Sequence, residues 1–162
     1  MKPASETAIR SSFINCSKGD AKRMNLPRNL FDQPWADLDF LGWTDPQGPQ
    51  RRYLAAERDD ALVSIALHAG TGNARKSNMC DICLTTHPGG GVVLMVAPKA
   101  GASGRLGSTV GNYLCADLDC SLYVRQLKTP EVGMRIEDST TVDQRIDRLR
   151  SRLYSFLDRV AA

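Results

Sequence analysis

Two pairs of cysteines constrain this chain more than any other feature: Cys80 and Cys83 in M-C-D-I-C-L, and Cys115 and Cys120 in Y-L-C-A-D-L-D-C-S, with 31 residues between the pairs. Thiolates spaced C-x2-C and C-x4-C suit Zn²⁺, and two such pairs brought together complete its tetrahedral shell. A shell filled by four thiolates leaves no open coordination position. The spacing therefore implies one structural zinc per chain, a metal that holds a platform together and does no chemistry of its own. Four buried, reduced thiols are the bland rival, since free cysteine packs like a small hydrophobe. Two independent pairs at ligand spacing argue against it. Thiol–disulfide exchange would leave the second pair unexplained.

The segment between the pairs reads as a hairpin. Residues 92–97 (V-V-L-M-V-A) and 108–114 (S-T-V-G-N-Y-L) are β-prone, and the Gly-rich run P-K-A-G-A-S-G-R-L-G between them predicts a mobile loop. Gly111 would let the returning strand bend towards the metal. A helix is expected to begin near Cys115, with Asp117 and Asp119 in its first turn, where carboxylates suit the helix dipole, and with Leu118, Leu122 and Leu127 facing inward. Knuckle, hairpin, and second pair at a helix start make up a treble clef.

The rest of the chain supplies a scaffold. Residues 5–15 predict a helix capped by Ser5 or Thr7, with Ile9, Phe13 and Ile14 inward and Gly19 as a breaker beyond it. Residues 28–50, with Pro34, Pro46 and Pro49, predict an irregular connector pinned to the core by Trp35, Leu38, Phe40, Leu41 and Trp43. Two strands, 51–57 and 61–68, follow, joined at Arg58-Asp59-Asp60. Pro130 and Gly133 then separate a tail in which Val142, Ile146, Leu149, Leu153, Phe156 and Val160 recur at helical spacing, while Arg145, Arg148, Arg152 and Arg159 fall off that stripe. The expected fold is α+β: a treble-clef zinc finger attached to a small antiparallel sheet, with an N-terminal helix and a long C-terminal helix. Residues 1–135 form the zinc-finger domain, and residues 136–162 an amphipathic helix packed on it or extending from it.

Several function classes are disfavoured. The start, M-K-P-A-S-E-T-A-I-R, has no apolar signal region, and the longest apolar runs are too short to span a bilayer. The expectation is a cytoplasmic protein, where paired cysteines more often bind metal than form disulfides. No nucleophile–base pair, open metal site or phosphate loop is evident, so no enzymatic activity and no small-molecule substrate are expected. His87, four residues after Cys83, reads as a loop residue beside the metal and not as a replacement ligand. His68 reads as structural, and Cys16 as a buried thiol apart from the cluster.

The stretches F-I-N-C-S-K-G-D-A-K-R, D-F-L-G-W-T-D-P, M-C-D-I-C-L-T-T-H-P and Y-L-C-A-D-L-D-C-S-L-Y-V-R resemble the elongation factor G-binding protein C-terminal treble-clef zinc-finger domain, found in bacterial fusidic-acid-resistance proteins. The likeness runs from about Ile9 to about Leu149. It implies that Cys80, Cys83, Cys115 and Cys120 hold zinc, and that the partner is translation elongation factor G. In the resistance proteins that binding promotes release of the factor from stalled ribosomes. Those proteins carry an N-terminal helical bundle for which this chain has no room, so it is similar to the shorter, single-domain members. Lys99, Arg105, Tyr113, Tyr123, Arg125 and Lys128 are the basic and aromatic candidates for partner contact, since Arg and aromatic residues anchor interfaces. An alternative is an RNA- or ribosome-binding finger with possible rRNA contact and no affinity for the free factor, which a net charge of +3 permits. A redox switch joining Cys16 to the zinc cysteines is a third.

Overall fold

Asp59 and Asp60 both adopt left-handed φ, 50° and 60°. Consecutive positive φ values make the two-residue turn whose twist matches a β-hairpin, and Asp tolerates that region better than most residues. On either side run β2 (Gly48–Arg58) and β3 (Ala61–Ala69), in register from Arg51↔His68 to Arg58↔Ala61. The computed structural model describes residues 1–71, 78–130 and 139–162.

The end of the expected connector is itself a strand. β1 (Phe40–Asp45) pairs antiparallel with β2 from Phe40↔Ala56 to Thr44↔Arg52. The prolines that suggested a loop are accommodated: Pro46 falls in the turn, and Pro49 falls where the register shifts between the Thr44↔Arg52 and Asp45↔Gly48 pairs. A bulge of this kind is where a strand tolerates proline. Ahead of β1 lie two 3₁₀ turns, Leu30–Asp32 and Trp35–Asp37, and all five predicted anchors from Trp35 to Trp43 are buried.

A second, two-stranded sheet pairs β4 (Asn78–Met79) with β5 (Thr86–His87) around the first cysteine pair. The main sheet continues with β6 (Val92–Pro98) and β7 (Thr109–Cys115), giving the order β1-β2-β3-β6-β7. Contact between its halves is brief: β3 and β6 pair only at His68↔Val96 and Ala69↔Met95. β1 and β2 bury both faces. Phe40, Leu54 and Ala56 join one apolar cluster, whereas Leu41, Trp43, Tyr53 and Ala55 join another on the opposite side.

Two N-terminal helices cover the second cluster, where one was expected. α1 (Glu6–Ser11) is capped by Ser5, whose Oγ accepts from the Ala8 N–H. It ends before Phe13 because the chain there turns to lie along β3, with Ile14 donating to the Ser64 carbonyl and Ser64 to that of Ser12. α2 (Lys18–Arg23) is capped by Ser17 and contains Gly19 in its first turn. Glycine costs a helix only about 1 kcal/mol relative to alanine through backbone entropy, so beside a good cap it does not prevent α2.

Three further expectations shift. The Gly-rich run between β6 and β7 contains α3 (Gly101–Arg105), held against the C-terminal helix by the Ala100 N–H on the Val160 carbonyl. The helix predicted from Cys115 begins later, as α4 (Cys120–Val124), because Leu118 sits at φ 63° and a right-handed helix cannot contain that residue. Gln126, at φ 59°, follows α4, and Leu127 is exposed instead of inward. The tail is helical as its period predicted: α5 (Val142–Ala161) opens on a capping box between Thr141 and Gln144. Leu149, Leu153, Phe156, Leu157 and Val160 are buried in the same cluster as the four zinc-motif cysteines, although Val142 stays exposed. Gly133 and the boundary after residue 135 lie outside the described residues. No helix among the described residues is long and apolar enough to cross a membrane.

Candidate metal centre

The backbone around each cysteine pair is bent so that its thiols converge. In the first knuckle the Leu84 N–H donates to the Cys80 carbonyl and the Cys80 N–H to the Thr85 carbonyl, with Leu84 at φ 60°. The second closes through the Leu118 N–H on the Cys115 carbonyl. Leu118 is pressed against β1: a Cβ on Gly42 would stand 2.3 Å from the Leu118 Cβ, so only glycine fits there. Packing thus holds a conformation that a branched residue rarely adopts.

Cys80, Cys83, Cys115 and Cys120 are all buried, and their sulfurs lie within 4.8 Å of one another. Cys80 and Cys120 are separated by 3.7 Å and Cys83 and Cys115 by 3.4 Å. A zinc–sulfur bond of about 2.3 Å in a tetrahedron calls for sulfurs about 3.8 Å apart, so the cluster has the size of a zinc shell. Its electrostatics agree. Hydrogen bonds from Cys115 first, then Cys120 and Cys83, pull the Cys80 thiol well below its usual range. Cys120 is driven upward by its three neighbours and by burial. For Cys115 the hydrogen bond with Cys120 pulls down, and Cys80, Cys83 and burial together override it. Four such thiols cannot all carry charge without a cation among them. The four cysteines can hold one zinc ion, and no ligand position would then remain open.

His87 sits in β5 and is buried, with Nε2 3.2 Å from Cys115 Sγ. It lies beside the metal cysteines as expected, in a strand and not in a loop. Burial lowers its pKa, and Nε2 lies within hydrogen-bond distance of the Cys115 sulfur. The ring also packs edge-on against Tyr123, centroids 4.8 Å apart. Its place beside the cysteines was readable from its position after Cys83; its partnership with Tyr123 appears only in three dimensions.

The six candidate contact residues divide. Tyr123 is buried and donates to Asp117 at 2.6 Å, and Lys128 bonds Asp117 at 2.9 Å and Asp119 at 2.6 Å. Arg125 donates to Asp39, whose side chain is fully buried, and to the Ser121 carbonyl. These three are internal braces between the second cysteine pair, α4 and β1. Arg105 and Tyr113 are exposed, and Lys99 is half-exposed. Sequence reasoning missed Asp39 and Asp81. Asp39 also takes Arg150 of α5 at 2.8 Å. Asp81, inside C-D-I-C, accepts the Tyr113 N–H on its carboxylate and returns its own N–H to the Tyr113 carbonyl. Cys16 lies against the second cluster, half-buried and apart from the metal cysteines.

A family model described as the FBP C-terminal treble-clef zinc-finger matches residues 8–160. Among solved structures, the chain is similar to the fusidic acid resistance protein FusC, with a TM-score of 0.63 and 16% identity. The match covers 99% of this chain and 60% of that one, so the chain spans less than two thirds of FusC's length. At that identity the likeness speaks for the fold. No curated protein matches the sequence.

Proposed function

The chain belongs to the FBP C-terminal treble-clef zinc-finger family, and from that premise we propose that it is a zinc-stabilised, non-enzymatic module that binds translation elongation factor G in the cytoplasm and modulates the factor's release from the ribosome. The observation that carries the reading is the coincidence of a family match over residues 8–160 with a closed, buried set of four thiolates. Such a site stabilises a surface and leaves no place for a substrate. The exposed Tyr113, two residues before Cys115, and Arg105 and Lys99 at the far end of the β6–β7 hairpin are the types that anchor interfaces.

The test is a calorimetric titration of the zinc-loaded protein with elongation factor G. A saturable one-to-one heat supports the reading; no heat at protein concentrations on the order of tens of micromolar overturns it. The RNA reading draws on the arginines of α5. It is weaker because Arg150 of α5 is taken up by Asp39. It predicts association with ribosomal RNA that falls steeply with salt, and no heat with the free factor.

A further inference from the structure

β7 is an outer strand of the main sheet, and among the described residues no strand lies on its free side. Its even-numbered residues face β6, as the Lys99 N–H on the Ser108 carbonyl and the Ala116 N–H on the Gly91 carbonyl show at either end. Its odd-numbered residues therefore point their backbone groups outward. Tyr113 spends its pair on Asp81. Among the described residues, the N–H and C=O of Thr109 and Gly111 have no partner, and both residues are exposed. An unpaired edge of this kind is a template for another strand.

The surroundings say what kind. On the α5 side, Arg159 donates to Asn112 Oδ1 at 2.6 Å and Arg152 to the Asp81 carbonyl at 3.1 Å. Both guanidinium groups are exposed, and both meet neutral oxygens, so their charge is not cancelled by an ion pair. The Asp81 carboxylate, held by the Tyr113 N–H, is the one acidic group at that end of the edge among the contacts named. On the opposite face, Leu94 and Tyr113 stand exposed as cross-strand partners, with half-buried Val96 beside Gly111. A second copy of this chain would bring like arginines together across a two-fold axis, which disfavours self-pairing.

We propose that the β7 edge accepts an extended acidic segment of a partner protein by strand addition, with alternating side chains read on the two faces. A residue opposite Gly111 points to the Leu94, Val96 and Tyr113 face and is apolar, filling the space the missing Cβ leaves. Residues opposite Val110 and Asn112 point towards Arg159 and are acidic. Backbone bonds supply the affinity, and the acidic–apolar–acidic alternation supplies the specificity. The proposal rests on the reading of the chain as a protein-binding module and names the contact that module makes.

The probe is the fluorescein-labelled peptide acetyl-Thr-Glu-Val-Asp-Thr-amide, titrated into the zinc-loaded full chain. Two variants test the edge. Gly111→Pro removes an outward N–H that the sheet does not use, which edge strands tolerate. Arg159→Glu reverses the charge. Each is expected to weaken the peptide by at least about tenfold, with zinc content and the circular-dichroism spectrum unchanged. The Gly111 amide should show the largest NMR shift on binding. Absence of peptide binding, equal binding by wild type and both variants, or a dimer that Gly111→Pro dissolves each overturns the proposal. A parallel titration with elongation factor G separates the two readings, because the factor can bind wild type while the peptide fails.

Discussion

Asp45 is only 2% exposed, yet its carboxyl is held below the usual range. Burial alone would push it up; the Asn25 amide, the Gln47 N–H, Arg51 and the Tyr53 hydroxyl together reverse that. Asp45 thereby ties the β1–β2 turn to the segment after α2. Replacing it with Asn keeps the shape and loses the charge-assisted bonds, so Asp45→Asn should cost about 1–3 kcal/mol at pH 7 in urea unfolding. A depressed folded pKa gives stability that is present above the unfolded value, near about 3.9, and is lost as pH falls through the folded value. The wild-type-minus-variant difference should thus stay level from neutral pH down to about pH 5 and shrink below about pH 4. The acid sensitivity of the distant cysteine cluster is common to both proteins and cancels. Asp39 differs in kind: it is a fully buried carboxylate clamped by Arg125, itself only 12% exposed, and by Arg150. Asp39→Ala would strand the Arg125 charge, and a loss of about 3–5 kcal/mol in the same unfolding experiment is the expected result.

α5 shows which elements announce themselves and which do not. Its apolar period is kept from Ile146 to Val160, where one face meets one cluster, and helix period is a strong signal at that length. Two single changes separate its local and tertiary support. Thr141→Ala removes the capping bonds to and from Gln144 and should cost about 1 kcal/mol. Leu153→Ala opens a cavity at a fully buried position and should cost about 2–5 kcal/mol, both read from chemical denaturation. The β2–β3 hairpin and the β6–β7 pair were equally readable, since alternation and turn residues agree in them. β1 was hidden because Phe40, Leu41 and Trp43 are buried on both faces, which erases alternation, and prolines surround it. The start of α4 was misplaced because a left-handed Leu118 has no signature in sequence; it exists only because Gly42 makes room for it. The convergence of the four cysteines was visible from spacing alone. The carboxylate braces around them were not: Asp39 and Asp81 act through residues 32 to 111 positions away.

The two apolar clusters share β1 and β2, strand by strand and face by face, and this sets how the molecule responds when its metal is removed. One cluster contains the zinc-motif cysteines together with Phe40, Leu54 and the buried face of α5; the other contains Trp35 and Trp43. Structural zinc contributes about 10–16 kcal/mol of apparent binding energy in small fingers, which equals or exceeds the whole stability of an ordinary domain at about 5–15 kcal/mol. Loss of the metal should therefore unfold far more than the two knuckles. An isolated helix of α5's length is marginal in water, so α5 should melt once its cluster opens. β1 and β2 then lose one of the two faces that hold them, and the tryptophan cluster follows. The expected result is one zinc per chain by metal analysis, and on titration with a zinc chelator a single transition in which far-ultraviolet circular dichroism and tryptophan fluorescence change together. Cys115→Ser should fail to accumulate as a folded protein for the same reason. If the tryptophan signal persists after the helical signal has gone, the second cluster stands without the metal, and the coupling through β1 and β2 is wrong.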